Sequence, residues 1–196
     1  MSSPGTGKIV IDDGLSIAGG AAGVGNYSLS LYEGLKEALD DSVAVHLRGY
    51  GLTRRLPGRL RRLSYLSWLH TAGIPAGLRS ARLFHYTNYY APLFRLNARS
   101  RYVVTIHDMA AWAVPEAFSP RYLRFIKPLV SRTASLADAV ITVSGAVREE
   151  IVGYLGVPPE KVHVCHNTAG IDGGEAAAGE GGHILYVGSI DAHKNV

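Results

Sequence analysis

Residues 102–106, Tyr-Val-Val-Thr-Ile, form an uncharged run of aromatic and β-branched side chains that stops abruptly at His107-Asp108. Such a run suits a pleated, buried surface and reads as an interior strand. In a parallel α/β sheet, ligands sit just beyond the carboxyl ends of the strands, where this polar pair would emerge. An isolated His-Asp pair also serves simply to cap a loop. What the rest of the chain places nearby decides between the two.

Taken in order, the chain repeats strand and helix signals. Lys8-Ile-Val-Ile-Asp12 is a short strand, followed by the glycine-rich turn Ala18-Gly-Gly-Ala-Ala-Gly-Val-Gly-Asn-Tyr27. Val24, Tyr27, Leu31, Leu35 and Ala38 then recur at helical spacing, and Val43-Ala-Val-His-Leu47 supplies a second strand. That βαβ opening predicts an α/β fold: a Rossmann-like, doubly wound parallel sheet. Between residues 48 and 80 the pattern is broken by Gly and Pro, yet Leu56, Leu60, Leu63, Leu66 and Leu69 keep helical spacing among arginines. Ala81-Arg-Leu-Phe-His-Tyr86 is another strand. Ser119-Pro120 predicts a helix start, with serine as cap and proline in the first turn. Tyr122, Phe125, Ile126, Leu129, Val130, Thr133 and Leu136 give that helix its apolar face, and Pro128 is expected to kink it. Ala139-Val-Ile-Thr-Val143 is a strand ending at Ser144. Val147, Ile151, Tyr154 and Leu155 form a helix closed by Gly156 and Pro158, and Lys161-Val-His-Val-Cys165 is the next strand.

The composition then shifts. Residues 169–182 are rich in Gly and Ala without periodicity, which predicts a linker between a domain at 1–168 and a second domain beginning at 183. His183-Ile-Leu-Tyr-Val-Gly188 begins a new strand, and one strand cannot bury a core by itself. The expectation is a Rossmann-like domain followed by the truncated start of another.

Apolar content of 47% and charged content of 18% over 196 residues predict a globular chain. No apolar run approaches the roughly 20 residues of a membrane span, and no hydrophobic signal core opens the sequence, so a cytoplasmic location is expected. The single cysteine, Cys165, fits a reducing compartment and is expected to be a buried, inert thiol. Net charge is +4, with Arg54, Arg55, Arg59, Arg61 and Arg62 clustered. With the interleaved leucines, this cluster suggests peripheral contact with the inner face of a membrane; a solvated helix with a buried leucine face is the equal alternative. Nucleic-acid binding is disfavoured, because aromatic interleaving and a reading helix are both lacking.

Four constellations carry possible chemistry. Gly23-Val-Gly25, between strand and helix, lets a ligand approach the backbone near a phosphate-friendly helix N-terminus. It matches neither the dinucleotide fingerprint nor a P-loop, and a plain tight turn is as good a reading. His107-Asp108 is the second and Ser144 the third, the latter with a competing role as a helix cap. The fourth is Gly188-Ser189 with Lys194, a polar loop in which Lys194 would neutralise phosphate or simply be solvated. No metal-ligand spacing is present, and no Gly-x-Ser-x-Gly elbow supports a serine triad.

As an ordered set, these segments resemble a known family. Gly23-Val-Gly25-Asn-Tyr27; His85 with Asn88 and Pro92; Val-Val-Thr-Ile-His-Asp; Ala137-Asp-Ala-Val-Ile-Thr-Val-Ser144; Pro159-Glu-Lys-Val-His-Val; and Leu185-Tyr-Val-Gly188 with Lys194-Asn195 are similar to the family 4 retaining glycosyltransferases (glycosyl transferase group 1), especially mannosyltransferase-like members. The resemblance implies the GT-B architecture, in which two Rossmann-like domains face each other across a cleft. It implies transfer of a mannose- or glucose-type hexose, with retention, from a nucleotide-diphosphate sugar to a saccharide or lipid-linked acceptor. No metal or other cofactor is implied. By position, His107 would contact the donor sugar and Asp108 would hold its loop. Gly23, Gly25, Asn88 and Ser144 would line the cleft, while Gly188, Ser189 and Lys194 would meet the donor phosphates.

Two departures qualify this. Ser189 stands where many members carry an arginine, and the chain ends before the family's paired-glutamate donor motif. The isolated chain is therefore expected to be inactive. The competing reading is a stand-alone Rossmann-like domain that binds sugar or phosphate without chemistry.

Overall fold

A computed structural model describes residues 7–14, 23–39, 43–49, 60, 81–95 and 97–167. The arginine cluster from Arg54 to Arg62, the glycines at 19 and 20, the linker at 169–182, and Gly188, Ser189 and Lys194 lie outside the described residues.

Six strands make one sheet: β1 (Gly7–Gly14), β2 (Val43–Gly49), β3 (Leu83–Tyr86), β4 (Arg101–Ile106), β5 (Ala139–Thr142) and β6 (Val162–Val164). All pairings are parallel, in the order β2-β1-β3-β4-β5-β6. Among the described residues, four α-helices accompany them: α1 (Gly23–Ala38), α2 (Ala110–Ala113), α3 (Pro120–Leu136) and α4 (Gly145–Leu155). This is a Rossmann-like α/β sheet, and every strand expected from the sequence among these residues is present.

The order reverses at β1. The chain steps from β1 outward to β2, then crosses back to lay β3 on the other side of β1. Because parallel crossovers are right-handed, that reversal sends α1 to one face and α3 and α4 to the other. The gap beyond the ends of β1 and β3 is the topological switch point, where sheets of this kind leave a crevice.

The two faces carry different chemistry, because side chains alternate along each strand. Phe84 and Tyr86 of β3 point with Tyr102, Val104 and Ile106 of β4 into one apolar cluster with Ile126, Leu129 and Val130 of α3. The rings of Phe84, Tyr86 and Tyr102, with centroids 5.6 to 6.4 Å apart, form its centre, Tyr86 stacked with the other two and Phe84 tilted against Tyr102. The alternate positions, His85 and Thr105, are buried and polar and bond to each other.

Local signals end the helices as their residue types dictate. The Ser119 hydroxyl accepts from the Tyr122 N–H at the start of α3, and Ser144 accepts from the Val147 N–H at the start of α4. Gly156 closes α4 with φ of 64°, a left-handed conformation in which a side chain is strained. Helix α3 continues through Pro128. Both Pro128 and Arg124, whose carbonyl loses its helical donor, are exposed, so water can satisfy that carbonyl.

Two expectations are corrected. Phe125, assigned to the apolar face of α3, is 37% exposed, because it sits at the margin of the stripe centred on Ile126, Leu129, Val130 and Thr133. Cys165 is exposed rather than buried. Strand β6 ends at Val164, and the Cys165 N–H makes the last sheet-edge bond, to the Thr142 carbonyl.

At the amino ends of the strands, Asp138 ties the sheet together. It accepts from the Tyr102 N–H at 2.8 Å and pairs with Arg95 at 2.6 Å and Arg101 at 3.2 Å. Burial works to raise its carboxyl, but the amide and the two guanidinium groups outweigh that and hold it below its usual range.

Candidate functional site

The carboxyl ends of β1, β3 and β4 converge with the first turns of α1. Strand β3 delivers Thr87 one residue past its end, and the Thr87 N–H bonds to the Asp12 carbonyl at 3.1 Å, continuing the β1–β3 ladder to the edge of the crevice. The Thr87 hydroxyl reaches the same carbonyl at 3.3 Å and lies 2.8 Å from the Ser28 hydroxyl of α1. Thr87 and Ser28 are both fully buried. Hence α1 is docked on the switch point by short polar side chains rather than by apolar packing alone.

His107 follows β4 and completes the cluster. Its Nε2 lies 2.9 Å from the Thr87 carbonyl oxygen, and its ring meets the Tyr27 ring edge-on at 4.9 Å. A carbonyl only accepts, so Nε2 carries the proton. Burial lowers the His107 pKa, against the Thr87 carbonyl and Asp108, which act the other way. At neutral pH the ring is therefore uncharged, with Nδ1 as an acceptor.

Beneath it, Thr105 is a shared partner. Its hydroxyl lies 2.8 Å from His85 Nε2 and 3.1 Å from the Tyr27 hydroxyl. Burial, and secondarily the neighbouring His107, depresses the His85 imidazole to about 4. Burial raises the Tyr27 hydroxyl despite its bond to Thr105. Both groups are uncharged at neutral pH. The wall made by Tyr27, Ser28, His85, Thr87, Thr105 and His107 is polar and contains no fixed positive charge.

The other residues singled out from sequence fall around this wall in different roles. Gly25 is buried in the first turn of α1, whereas Gly23 is exposed and a methyl group there would meet nothing within 4 Å. Asn88 is buried, and its Oδ1 accepts from the Tyr90 N–H at 2.7 Å, shaping the turn after Thr87. Asp108 is exposed and accepts from the Ala110 N–H at 3.0 Å, which organises the loop into α2. Ser144 is engaged as the α4 cap. Among the described residues, no three His, Cys, Asp or Glu side chains come together as a metal site.

Tyr27, Ser28, Thr87 and Thr105 carry this geometry without having been singled out for a role. The available signal was a threonine just beyond the end of an apolar strand, at Thr87; Thr105 lies inside its strand and offered none.

A model of the family described as Glycosyltransferase Family 4 matches residues 21–172. The chain belongs to glycosyltransferase family 4. That match covers all of the polar wall. O-antigen chain mannosyltransferase B of Escherichia coli is 23% identical over 126 residues, which are 58% of this chain and 32% of that protein. The chain thus spans about a third of the length of the curated relative it matches. Family 4 membership agrees with the parallel sheet and with the site's place at the strands' carboxyl ends. Among the described residues, no helix is long and apolar enough to cross a membrane.

Proposed function

We propose that this chain forms the acceptor-side wall of a GT-B glycosyltransferase that moves a mannose- or glucose-type hexose from a nucleotide-diphosphate sugar, with retention, onto a saccharide or lipid-linked acceptor. The observation that carries it is His107: a neutral imidazole at the switch-point crevice, fixed through Nε2 and presenting Nδ1 as an acceptor for a sugar hydroxyl.

In this reading His107 orients the donor hexose, and Tyr27 borders it through its edge contact with that ring. Departure of the diphosphate develops negative charge that the uncharged wall cannot balance. Cations and backbone amides on the facing surface must supply that balance. From sequence, that role is assigned to Lys194 with Gly188 and Ser189 and requires no metal ion. In the same reading the chain by itself does not turn over. The protein works in the cytoplasm, with Arg54, Arg55, Arg59, Arg61 and Arg62 as its contact with the membrane surface.

The test is a transfer assay with UDP- and GDP-hexoses, run on the chain alone and on the chain joined to a family 4 donor domain. Expected is transfer only by the joined form, insensitive to chelator, with the anomeric configuration of the product retained by proton NMR. An inverted product would remove retention from the proposal, and turnover by the chain alone would remove the need for a facing surface.

A further inference from the structure

His107 and Asp108 are adjacent in sequence but serve different environments. His107 faces Tyr27 of α1, whereas Asp108 borders a separate hollow on the α3 side of the sheet, with a volume of about 210 Å³. Its walls include Tyr89, Trp112, Phe118 and Tyr122, contributed by the loop after β3, by α2, and by the start of α3 and the residue pair before it. Met109, 1% exposed, lies at its base.

The polar groups are few and placed at specific points. The Tyr89 and Tyr122 hydroxyls lie 3.5 Å apart. Burial, with smaller contributions from Tyr90, Tyr122 and Asp108, raises the Tyr89 hydroxyl, so that phenol keeps its proton. If one donates to the other, one proton remains for a ligand. Asp108 uses Oδ1 on the Ala110 N–H, and a carboxylate has further lone pairs to offer. Lys127 lies over the Trp112 ring, 5.1 Å being the comparable reach of Lys36 over Tyr32 and 5.4 Å the distance here.

We propose that this hollow is a subsite for one neutral hexopyranose ring at the end of the acceptor. A pyranose has an apolar C–H face and an edge of hydroxyls. Aromatic rings suit the first, and a carboxylate with a phenol suits the second. The volume falls below the roughly 300 Å³ at which pockets for drug-sized ligands begin, so it suits a single ring better than a nucleotide. A phosphate in the hollow would meet the Asp108 carboxylate of its lining, and like charges repel, whereas the Lys127 ammonium over Trp112 is not part of that lining. The acceptor is thereby narrowed to one that presents a neutral sugar rather than a bare lipid phosphate. This rests on the acceptor-side reading above.

The test uses Trp112 as the reporter. The chain has two tryptophans, and Trp68→Phe leaves Trp112 alone. Methyl hexopyranosides, inorganic phosphate, UMP and GMP are titrated into that variant while emission is followed, with circular dichroism confirming the fold. Expected is a saturable response to at least one methyl hexopyranoside and none to phosphate. Because each removes a ligand hydrogen bond, Asp108→Asn and Tyr122→Phe should each weaken binding by about tenfold. No saturable response to any hexopyranoside from the folded chain would overturn the subsite. So would a response to nucleotide or phosphate only, or sugar binding unchanged in both conservative variants. Sugar binding without transfer by the joined enzyme would leave the subsite standing and remove the transferase reading. Transfer without sugar binding here would do the reverse.

Discussion

His107 donates from Nε2 to the backbone carbonyl of Thr87, across the ends of two neighbouring strands, at 2.9 Å. A main-chain acceptor cannot swing away as a side chain can, so the ring is fixed by the sheet itself. Strands β3 and β4 are paired in register up to Tyr86 and Val104, and that pairing sets the distance this bond must span.

Replacing His107 separates anchoring from recognition. His107→Gln retains an N–H that can reach the Thr87 carbonyl but moves the acceptor away from the Nδ1 position onto the same amide; His107→Ala loses both. In the joined enzyme, Ala is expected to lower kcat/KM by about tenfold or more, in line with a buried polar contact in a site. Gln should match Ala in activity while keeping wild-type thermal stability. Steady-state kinetics and a melting curve decide.

The depressed His85 pKa makes stability depend on pH in a definable window. In the unfolded chain His85 takes up a proton near its ordinary value of 6.5, whereas in the folded chain it does so only near 4. Between those values the unfolded state binds more protons, so stability falls as pH drops from about 6.5 towards 4. His85→Gln, which can still bond to Thr105, should flatten this part of the profile in urea titrations at stepped pH.

Thr87 is expected to matter to the fold more than to substrate. Thr87→Val removes the hydroxyl facing Ser28 and the Asp12 carbonyl but keeps the backbone oxygen that holds His107. The Ser28 hydroxyl keeps the Val24 carbonyl and the Asp12 carbonyl keeps the backbone N–H of residue 87, so the cost is that of lost hydrogen bonds, about 0.5–1.5 kcal/mol each. The urea midpoint should fall accordingly, with donor-sugar KM nearly unchanged below the transition.

Asp138 gives a second pH signature, of opposite origin. Its carboxyl is held below the usual range in the folded state, so its contribution is present above about pH 4, near the unfolded carboxylate value, and is lost as pH falls through the folded value. Asp138→Asn should be less stable than wild type at pH 6, and the difference should vanish in strongly acidic solution.

Gly156→Ala forces a side chain into the left-handed region, with φ of 64°. The penalty is about 1–2 kcal/mol even though the added methyl group would meet nothing within 4 Å. A lower melting temperature with unchanged transfer by the joined enzyme is expected.

The strands and helix caps were legible because each is written locally. The run Ala139-Val-Ile-Thr142 is a strand by its own side chains, and Ser144 caps α4 within three residues. The polar wall was not legible for the same reason. Thr105 looks like any other β-former inside residues 102–106, and its hydroxyl partner Tyr27 is 78 residues away. Asp108 was grouped with His107 by adjacency, and only the packing of α2 and α3 shows that it borders a different hollow.

Thr105 has one proton to share between Tyr27 and His85. If His85 carries its hydrogen on Nε2, it donates to Thr105, Thr105 donates to Tyr27, and the phenolic hydrogen is left to point outward. If that hydrogen sits on Nδ1, every bond in the row reverses: Tyr27 donates to Thr105 and can only accept from a ligand. The tautomer of a histidine sealed inside the sheet thus decides what kind of hydroxyl group Tyr27 offers at the crevice.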